Sequence, residues 1–222
     1  MKLSIVIPFY NEENMIQKMY DALVAEVNKI TKAEFEIIFI NDGSKDRTFE
    51  KMLAIAEGDS RVKYISFSRN FGKEAGTIAG LEYATGEAVI LMDGDLQHPP
   101  ALLPQMIEAY EEGYDVVSAR RTRTGEKPHR TFLAKHFYRL ANKMMDIELM
   151  DGVSEFRLFS RKAVRAILSL QEYNRFSKGI FSWIGFKEKV IEYENQVRTV
   201  GETKYSLKFS LNYAIQGILS FN

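Results

Sequence analysis

Apolar and polar positions follow a regular rhythm along the first half of the chain. Short apolar runs rich in valine and isoleucine are each followed by a longer segment with apolar residues at helical spacing. The apolar runs fall at residues 1–8, 35–40, 62–67, 88–92 and 116–117, and the helical segments at 12–29, 46–57, 73–84 and 100–112. Strands that alternate with helices predict an α/β fold whose central sheet is mostly parallel, with helices on both faces.

The rhythm changes after residue 120. The pattern predicts a largely helical segment over residues 120–143, a helix over 161–170 and a strand over 190–197. Residues 205–222 predict an amphipathic helix that has no charge after Lys208. This helix is too short to span a bilayer, which takes about 20 apolar residues. It either docks on the domain or lies in a membrane interface, and the sequence leaves both readings open.

Composition and charge narrow the class of protein. The 222 residues are 45% apolar and 12% aromatic, which predicts a globular domain. Lysine and arginine (30) balance aspartate and glutamate (30), which argues against nucleic acid as a partner. The chain has no cysteine, so disulfides, thiolate zinc sites and cysteine nucleophiles are excluded.

The zero net charge is a cancellation between segments. Residues 1–119 sum to −9, residues 120–143 to +7 and residues 144–222 to +2. The basic segment therefore suits an anionic partner, although a solvated basic helix face explains the same charges equally well.

Polar residues follow each of the first four predicted strands. The carboxyl ends of parallel strands meet at one edge of the sheet, where ligands bind in such folds. Asp93 and Asp95 follow the fourth strand, and their oxygens suit Mg²⁺ or Mn²⁺ bridging a diphosphate. Asp42 follows the second strand, where an acidic residue suits a ribose hydroxyl or a nucleobase. Asn11, Asp46 and Gly43 are explained as well by helix capping and a turn.

Several ordered blocks together resemble one known family. The sequence is similar to the inverting glycosyltransferases of family 2 and, within them, to the polyprenyl-phosphate glycosyltransferases, over the whole chain. The blocks are Val6 to Glu13, Asn41 to Ser44, Arg69 to Lys73, Asp93 to Pro100, Ser154 to Leu158 and Arg198 to Tyr205.

This resemblance implies a GT-A fold and an enzyme that transfers a hexose, with inversion and with Mg²⁺ or Mn²⁺, from a nucleotide-diphosphate sugar. UDP-glucose or UDP-N-acetylglucosamine is the expected donor, and undecaprenyl or another polyprenyl phosphate is the expected acceptor. The reaction is expected at the cytoplasmic side of the bacterial plasma membrane, with anchor helices beyond this chain. The implied organisation is a catalytic domain over residues 1–204, with a donor part (1–119) and an acceptor part (120–204), before a juxtamembrane helix at 205–222.

The resemblance also implies roles on the donor side. Asp95, with Asp93, would hold the metal, and Asp93 would also face the ribose or the donor sugar. His98 stands where the family often has an aspartate, and no role is expected for it. The residues implied in nucleotide-sugar binding are Pro8, Tyr10, Glu12, Asp42, Gly72, Lys73, Asp93 and Gln97.

The acceptor side is less defined. Glu155 replaces the aspartate usual in the family's Ser-Asp-Phe-Arg-Leu block, and it is either a general base or an orienting group, because a phosphate acceptor is already anionic near neutral pH. Arg157 is expected to pair with an acidic neighbour or a phosphate. Arg198 and Lys204 are implied near the diphosphate and the acceptor phosphate, and Arg120 begins the basic segment that suits a lipid phosphate and a membrane surface.

Two other functions remain open at this point. One is a family 2 transferase with a soluble or polysaccharide acceptor. The other is a non-catalytic module that binds a nucleotide sugar or a membrane. The sequence does not determine the oligomeric state, and association of the chain into a homo-oligomer remains an open alternative.

Overall fold

A computed structural model describes residues 1–122, 142, 143, 145, 147, 150–170 and 175–194. In this part of the chain, helices and strands alternate as far as the fifth strand. In chain order the elements are β1 (Lys2–Phe9), α1 (Ile16–Val27), β2 (Glu34–Asn41), α2 (Thr48–Gly58), β3 (Val62–Ser66), α3 (Lys73–Tyr83), β4 (Ala88–Leu91), a 3₁₀ turn (Pro100–Leu102), α4 (Leu103–Glu111), β5 (Val116–Arg121), β6 (Val153–Ser160), α5 (Arg161–Ser169), α6 (Ser177–Trp183) and β7 (Glu188–Tyr193).

The seven strands form one sheet in the order β3-β2-β1-β4-β6-β5-β7. Strands β1 to β4 are parallel to one another, and β7 is parallel to β5. Strand β6 is inserted between β4 and β5 and runs antiparallel to both. The mostly parallel sheet predicted from the sequence is confirmed, but β6 and α6 were not predicted.

Helices cover both faces of the sheet. One core lies between the sheet and α1, α2 and α4, and includes Ile5, Ile7 and Met19. The other core lies between the sheet and α3, α5 and α6, and includes Val6 and Leu81. The central strands are apolar without alternation because both of their faces are buried. The predicted arrangement of helices on both faces is therefore confirmed.

Some predicted boundaries differ from the structure. Helix α1 begins at Ile16 instead of residue 12, because residues 11–13 hydrogen-bond to the loop that follows β2. Strand β7 begins at Glu188, two residues before the predicted start. Most of the basic segment 120–143 and the whole amphipathic segment 205–222 lie outside the described residues. Among the described helices, none has the length and apolarity that a membrane span requires.

Candidate active site

The carboxyl ends of the parallel strands meet at one edge of the sheet, as the sequence predicted. The loops after β1, β2, β3 and β4 all leave from this edge, and β5 and β7 also end there. Strand β6 begins at the same edge because it runs in the opposite direction. This edge is therefore where most of the predicted site residues that the structure describes come together.

The loops after β1 and β2 are joined by reciprocal hydrogen bonds. The Asn11 backbone N–H donates to Ser44 Oγ at 3.0 Å, and the Lys45 N–H donates to Asn11 Oδ1 at 2.8 Å. The Glu12 N–H donates to Thr48 Oγ1 at 2.8 Å. Asn11 has a φ of 51°, a left-handed conformation that asparagine tolerates better than most residues. Three predicted nucleoside contacts, Pro8, Tyr10 and Glu12, therefore lie in or beside a well-braced pair of loops, and all three are half-buried.

Asp42 organises the neighbouring loop from the end of β2. Its carboxylate accepts the backbone N–H groups of Phe71 (2.7 Å) and Gly72 (3.0 Å) and the Asn70 side-chain amide (2.9 Å). Only 3% of Asp42 is exposed. Burial raises the pKa of this carboxyl, although the N–H groups of Phe71 and Gly72 oppose the shift. The structure thus gives Asp42 a definite role in holding the loop that leads into α3.

A close backbone approach explains the glycine beside Asp42. A Cβ atom on Gly43 would lie 2.2 Å from the carbonyl carbon of Arg69, and the φ of Gly43 is 64°. Only glycine meets both conditions without displacing the backbone. The loops after β2 and β3 are therefore packed directly against each other.

Asp93 is held from two sides. Lys73, the first residue of α3, places Nζ 2.6 Å from Asp93 Oδ1, and His98 places Nε2 3.6 Å from Oδ2. Burial alone would raise the pKa of the Asp93 carboxyl, but Lys73 and His98 lower it well below its usual range. A quarter of the Asp93 side chain is exposed. The Asp93 carboxyl is therefore ionised and partly exposed at the edge of the sheet.

The loop that carries Asp95 has two local constraints. A Cβ atom on Gly94 would lie 2.3 Å from the ring of Phe9, so only glycine fits between the two aspartates without displacing that ring. Leu96 has a φ of 58°, an unfavourable conformation for leucine that its packing against the core compensates. The backbone N–H and the side-chain amide of Gln97 donate to the Asp95 carboxylate at 3.1 and 2.8 Å. Gln97 therefore orients Asp95.

Two residues near Asp93 had no predicted role. His98 Nδ1 lies 2.6 Å from the Tyr193 hydroxyl, and the imidazole packs near the ring of Phe156. Burial raises the pKa of the Tyr193 phenol, and the charges of Asp93 and Asp95 act in the same direction. The only sequence signal was position: Tyr193 lies in the last predicted strand, and His98 follows the Asp-Gly-Asp triplet.

Glu155 lies at the same edge as Asp93. The ladder between β4 and β6 ends with the pair Leu91 and Arg157; Glu155 lies two residues before Arg157 on β6, and Asp93 lies two residues after Leu91, beyond the end of β4. The structure thus places the predicted acceptor-side carboxylate at the same edge of the sheet as the donor-side aspartates.

Arg157 was predicted to meet either an acidic neighbour or a phosphate, and the structure contains the first of these. Only 3% of the residue is exposed, Nη1 lies 3.6 Å from Glu188 Oε1, and Nε donates to the Ser154 carbonyl at 3.2 Å. Its guanidinium lies over the ring of Phe181 at 5.2 Å. Burial lowers the pKa of Arg157, and the opposing effect of the Glu188 and Glu155 charges, which raise it, is smaller. A direct phosphate contact by Arg157 stays a prediction.

The remaining cationic predictions divide between described and undescribed parts of the chain. Arg120 is the second-last residue of β5, near the edge of the sheet that carries the site. It forms an ion pair with Glu192 on β7, and 39% of its side chain is exposed. Arg198 and Lys204 lie outside the described residues. On the acceptor side, the structure therefore describes Glu155 and Arg120 but not Arg198 and Lys204.

The donor atoms at this edge fit the predicted type of metal. Asp93 and Asp95 supply carboxylate oxygens only, and Gln97 supplies an amide beside them. Among the described residues no group of three or more acidic or histidine side chains forms a complete metal cage. Mg²⁺ is usually bound by one or two carboxylates, with substrate phosphates and water completing its shell. A two-carboxylate site therefore fits Mg²⁺, or the similarly hard Mn²⁺, when a diphosphate is also bound.

Comparison with known proteins identifies the class. The model of the family "Glycosyl transferase family 2" matches residues 4–168. CsbB of Bacillus subtilis (strain 168), a protein named as a glycosyltransferase, is 50% identical over 220 residues, which are 99% of this chain and 67% of that protein. The chain belongs to glycosyl transferase family 2 and is a glycosyltransferase.

A second relative defines the group within the family. The bactoprenol glucosyl transferase of Shigella phage SfX is 42% identical over 223 residues, covering 100% of this chain and 73% of that protein. The chain therefore belongs with the polyprenyl-phosphate glycosyltransferases of family 2, and the resemblance stated from its motifs is confirmed.

Solved structures agree with the fold. The mannosyltransferase PcManGT from Pyrobaculum calidifontis, in complex with GDP-Man and Mn²⁺, superposes with a TM-score of 0.63 at 18% identity, covering 86% of this chain and 54% of that one. Glucosyl-3-phosphoglycerate synthase from Mycobacterium tuberculosis, with Mn²⁺ and UDP-glucose, gives 0.60 at 19% identity, covering 98% and 76%. The predicted GT-A fold is confirmed.

Proposed function

We propose that this protein transfers a hexose, with inversion, from a nucleotide-diphosphate sugar to a polyprenyl phosphate at the cytoplasmic face of the membrane. The observation that carries the proposal is the pair Asp93 and Asp95, held by Lys73, His98 and Gln97 at the carboxyl edge of the sheet. The bactoprenol glucosyl transferase name of a full-length relative supports the polyprenyl acceptor. The Mn²⁺ and UDP-glucose or GDP-Man in structures of the same fold support the donor and the metal.

The donor half of the reaction needs a stabilised leaving group. A bound divalent cation supplies charge neutralisation for the departing diphosphate. Asp93 and Asp95 hold that cation, and Gln97 keeps Asp95 oriented. Lys73 forms an ion pair with Asp93 and so adds a positive charge next to the position of the diphosphate. Pro8, Tyr10 and Glu12 contact the nucleoside, with the loop held by Asp42 closing that pocket.

The acceptor half is an in-line displacement at the anomeric carbon. An acceptor phosphate oxygen forms the new bond to that carbon while the bond to the diphosphate oxygen breaks, so the configuration inverts. A phosphate monoester has its second pKa near 6, so a nucleophilic oxygen is available at neutral pH without a base. Glu155 orients the acceptor, and Arg120, Arg198 and Lys204 supply cations for the phosphates. The charges of the basic segment 120–143 and the amphipathic pattern of residues 205–222 suit binding to an anionic leaflet.

The test is a transfer assay with matched variants. The purified chain is incubated with radiolabelled UDP-glucose, UDP-N-acetylglucosamine or GDP-mannose, with undecaprenyl phosphate in detergent, and with Mg²⁺, Mn²⁺ or EDTA. We expect lipid-linked product with one donor and none with EDTA. Asp95→Asn is expected to lower the rate by about 10³-fold, because it removes metal-dependent charge stabilisation worth several kcal/mol.

The matched control is Asp21→Asn on the exposed surface of α1, where the carboxylate contacts only Gln17 among the contacts seen. This variant is expected to retain the wild-type rate. Wild-type turnover by Asp95→Asn would contradict the proposal. Transfer to soluble sugars but not to undecaprenyl phosphate would move the protein to the alternative acceptor class. Donor binding without transfer to any acceptor would favour a non-catalytic module.

A further inference from the structure

His98 makes two polar contacts with opposite sides of its ring. Nδ1 lies 2.6 Å from the Tyr193 hydroxyl, and Nε2 lies 3.6 Å from Asp93 Oδ2, which is longer than a hydrogen bond but within ion-pair distance. The rings of Phe156 and Tyr193 both have their centroids 6.0 Å from the imidazole. The ring is therefore fixed in orientation between an aromatic core and a carboxylate.

The contacts of His98 connect the end of β4 with the end of β7. Asp93 follows β4, and Tyr193 ends β7, with β6 and β5 lying between those two strands. His98 is 8% exposed and Tyr193 is 7% exposed. Buried polar groups such as these need a partner, and each nitrogen of the imidazole faces one. His98 therefore joins the loop of the aspartates to the last strand before the segment of Arg198 and Lys204.

Asp93 depends on these partners for its orientation. Lys73 holds Oδ1 at 2.6 Å, but a single contact with a long lysine side chain restrains the plane of the carboxylate only weakly. The second restraint, at Oδ2, comes from His98. His98 is in turn fixed by the Tyr193 hydroxyl. His98 and Tyr193 together thus restrain Oδ2 of Asp93, whose side chain is partly exposed.

We propose that His98 and Tyr193 are positioning residues that hold Asp93 in the orientation in which it binds the divalent cation and the donor diphosphate. This inference rests on the proposed function, because it names further residues for the same site. Residues that orient metal ligands typically change metal affinity by 10-fold to 100-fold when they are removed. Neither His98 nor Tyr193 contacts the substrate in this scheme.

The experiment separates the two sides of the imidazole. His98→Asn keeps an amide at the position of Nδ1, facing Tyr193, and loses the group facing Asp93. His98→Gln places its amide near the position of Nε2, facing Asp93. Tyr193→Phe removes only the hydroxyl, and Tyr64→Phe, on exposed edge strand β3, is the matched control. Isothermal titration of each full chain with MnCl₂ in the presence of UDP, repeated with GDP, measures the dissociation constant of the metal.

We expect the dissociation constant of Mn²⁺ to rise about tenfold in His98→Asn and Tyr193→Phe. We expect His98→Gln to lose less affinity than His98→Asn, because it keeps a group that faces Asp93. Thermal unfolding of every variant shows whether it is folded, and a merely structural role would make affinity follow the loss of stability regardless of which side of the ring is replaced.

The outcomes are distinguishable. If wild type binds Mn²⁺ with a nucleotide and all three variants match it, the inference is wrong and the proposed function stands. If His98→Gln loses as much affinity as His98→Asn, the positioning of Asp93 by the imidazole is likewise wrong. If wild type binds no Mn²⁺ with either nucleotide, both the proposed function and the inference fail.

Discussion

The backbone N–H of Phe71 donates a 2.7 Å hydrogen bond to the carboxylate of Asp42. This contact links the end of β2 to the loop that precedes α3, and Lys73 begins that helix beside Asp93. A residue expected to contact the nucleotide therefore also determines where Lys73 lies. The two roles of Asp42, holding the loop and contacting the donor, lead to different results on substitution.

We predict that Asp42→Asn loses folding stability and nucleotide affinity together. The amide nitrogen of asparagine cannot accept a hydrogen bond, so it would face one of the donors at Phe71, Gly72 or Asn70. An unsatisfied donor at such a partly buried position costs about 1 kcal/mol, which urea denaturation measures as a lower free energy of unfolding. Asp21→Asn provides the surface control. Loss of nucleotide binding with unchanged stability would mean that Asp42 acts only by direct contact.

The sequence predicted the elements that local patterns determine. Strands β1 to β4 were visible because each is a short apolar run before a helix, and their polar ends marked the edge where Asp42, Asp93 and Asp95 lie. Strand β6 was missed because Ser154, Glu155 and Arg157 interrupt its apolar pattern. It is stabilised by pairing with β4 and β5, which are distant in sequence.

The same limit applies to the site. The spacing of Asp93 and Asp95 is local, so their placement in one loop at the edge of the sheet could be predicted. The contact between His98 and Tyr193 joins residues 95 positions apart and depends on the order of strands in the sheet. Periodicity carries no information about such a contact. The burial of Arg157 could not be predicted for the same reason, since its partner Glu188 comes from another strand.

We predict that Arg157 contributes to stability through Glu188 and not through a phosphate. Arg157→Met is expected to lower the free energy of unfolding by about 3 kcal/mol, because it leaves the partly buried carboxylate of Glu188 without its cation. The double variant Arg157→Met/Glu188→Met is expected to lose less than the sum of the single variants, since it removes both charges. Chemical denaturation of the four proteins gives the coupling energy.

Additive effects of the two substitutions would contradict this pairing. A fall in affinity for undecaprenyl phosphate in Arg157→Met, at unchanged stability, would instead restore the phosphate role. Lys178, on α6 and half-buried, is the matched cation for a control variant Lys178→Met.

Glu36 provides a prediction about pH at the opposite edge of the sheet. This buried carboxylate accepts hydrogen bonds from Ser4, Thr85 and Lys63. Burial alone would raise the pKa of Glu36, but these hydrogen bonds lower it well below its usual range. Because the folded pKa is below the unfolded value, Glu36 stabilises the protein at pH values above the unfolded pKa, and this contribution falls as the pH drops toward the folded pKa.

We therefore expect Glu36→Gln to lower the free energy of unfolding at pH 7 by about 2 kcal/mol. The difference from wild type is expected to shrink as the pH falls below about 4.3, the unfolded pKa of glutamate. Urea denaturation at a series of pH values measures both quantities. Glu57→Gln, on the exposed end of α2, is the control. A difference that stays constant from pH 7 to pH 3 would contradict the lowered pKa.

The last prediction concerns Glu155, which lies on β6 at the edge of the sheet where Asp93 follows β4. If Glu155 orients a phosphate that is already anionic, Glu155→Gln retains the hydrogen-bonding shape and kcat falls by about tenfold, the value of one hydrogen bond near 1.4 kcal/mol. Loss of a general base would instead cost about 10²–10⁴. Glu155→Asp introduces the residue usual in the family and is expected to keep most of the activity. Transfer to undecaprenyl phosphate at saturating donor and acceptor gives kcat for each variant, with Glu57→Gln as the control. A loss above about 10³ in Glu155→Gln, with stability unchanged, would assign Glu155 as the base.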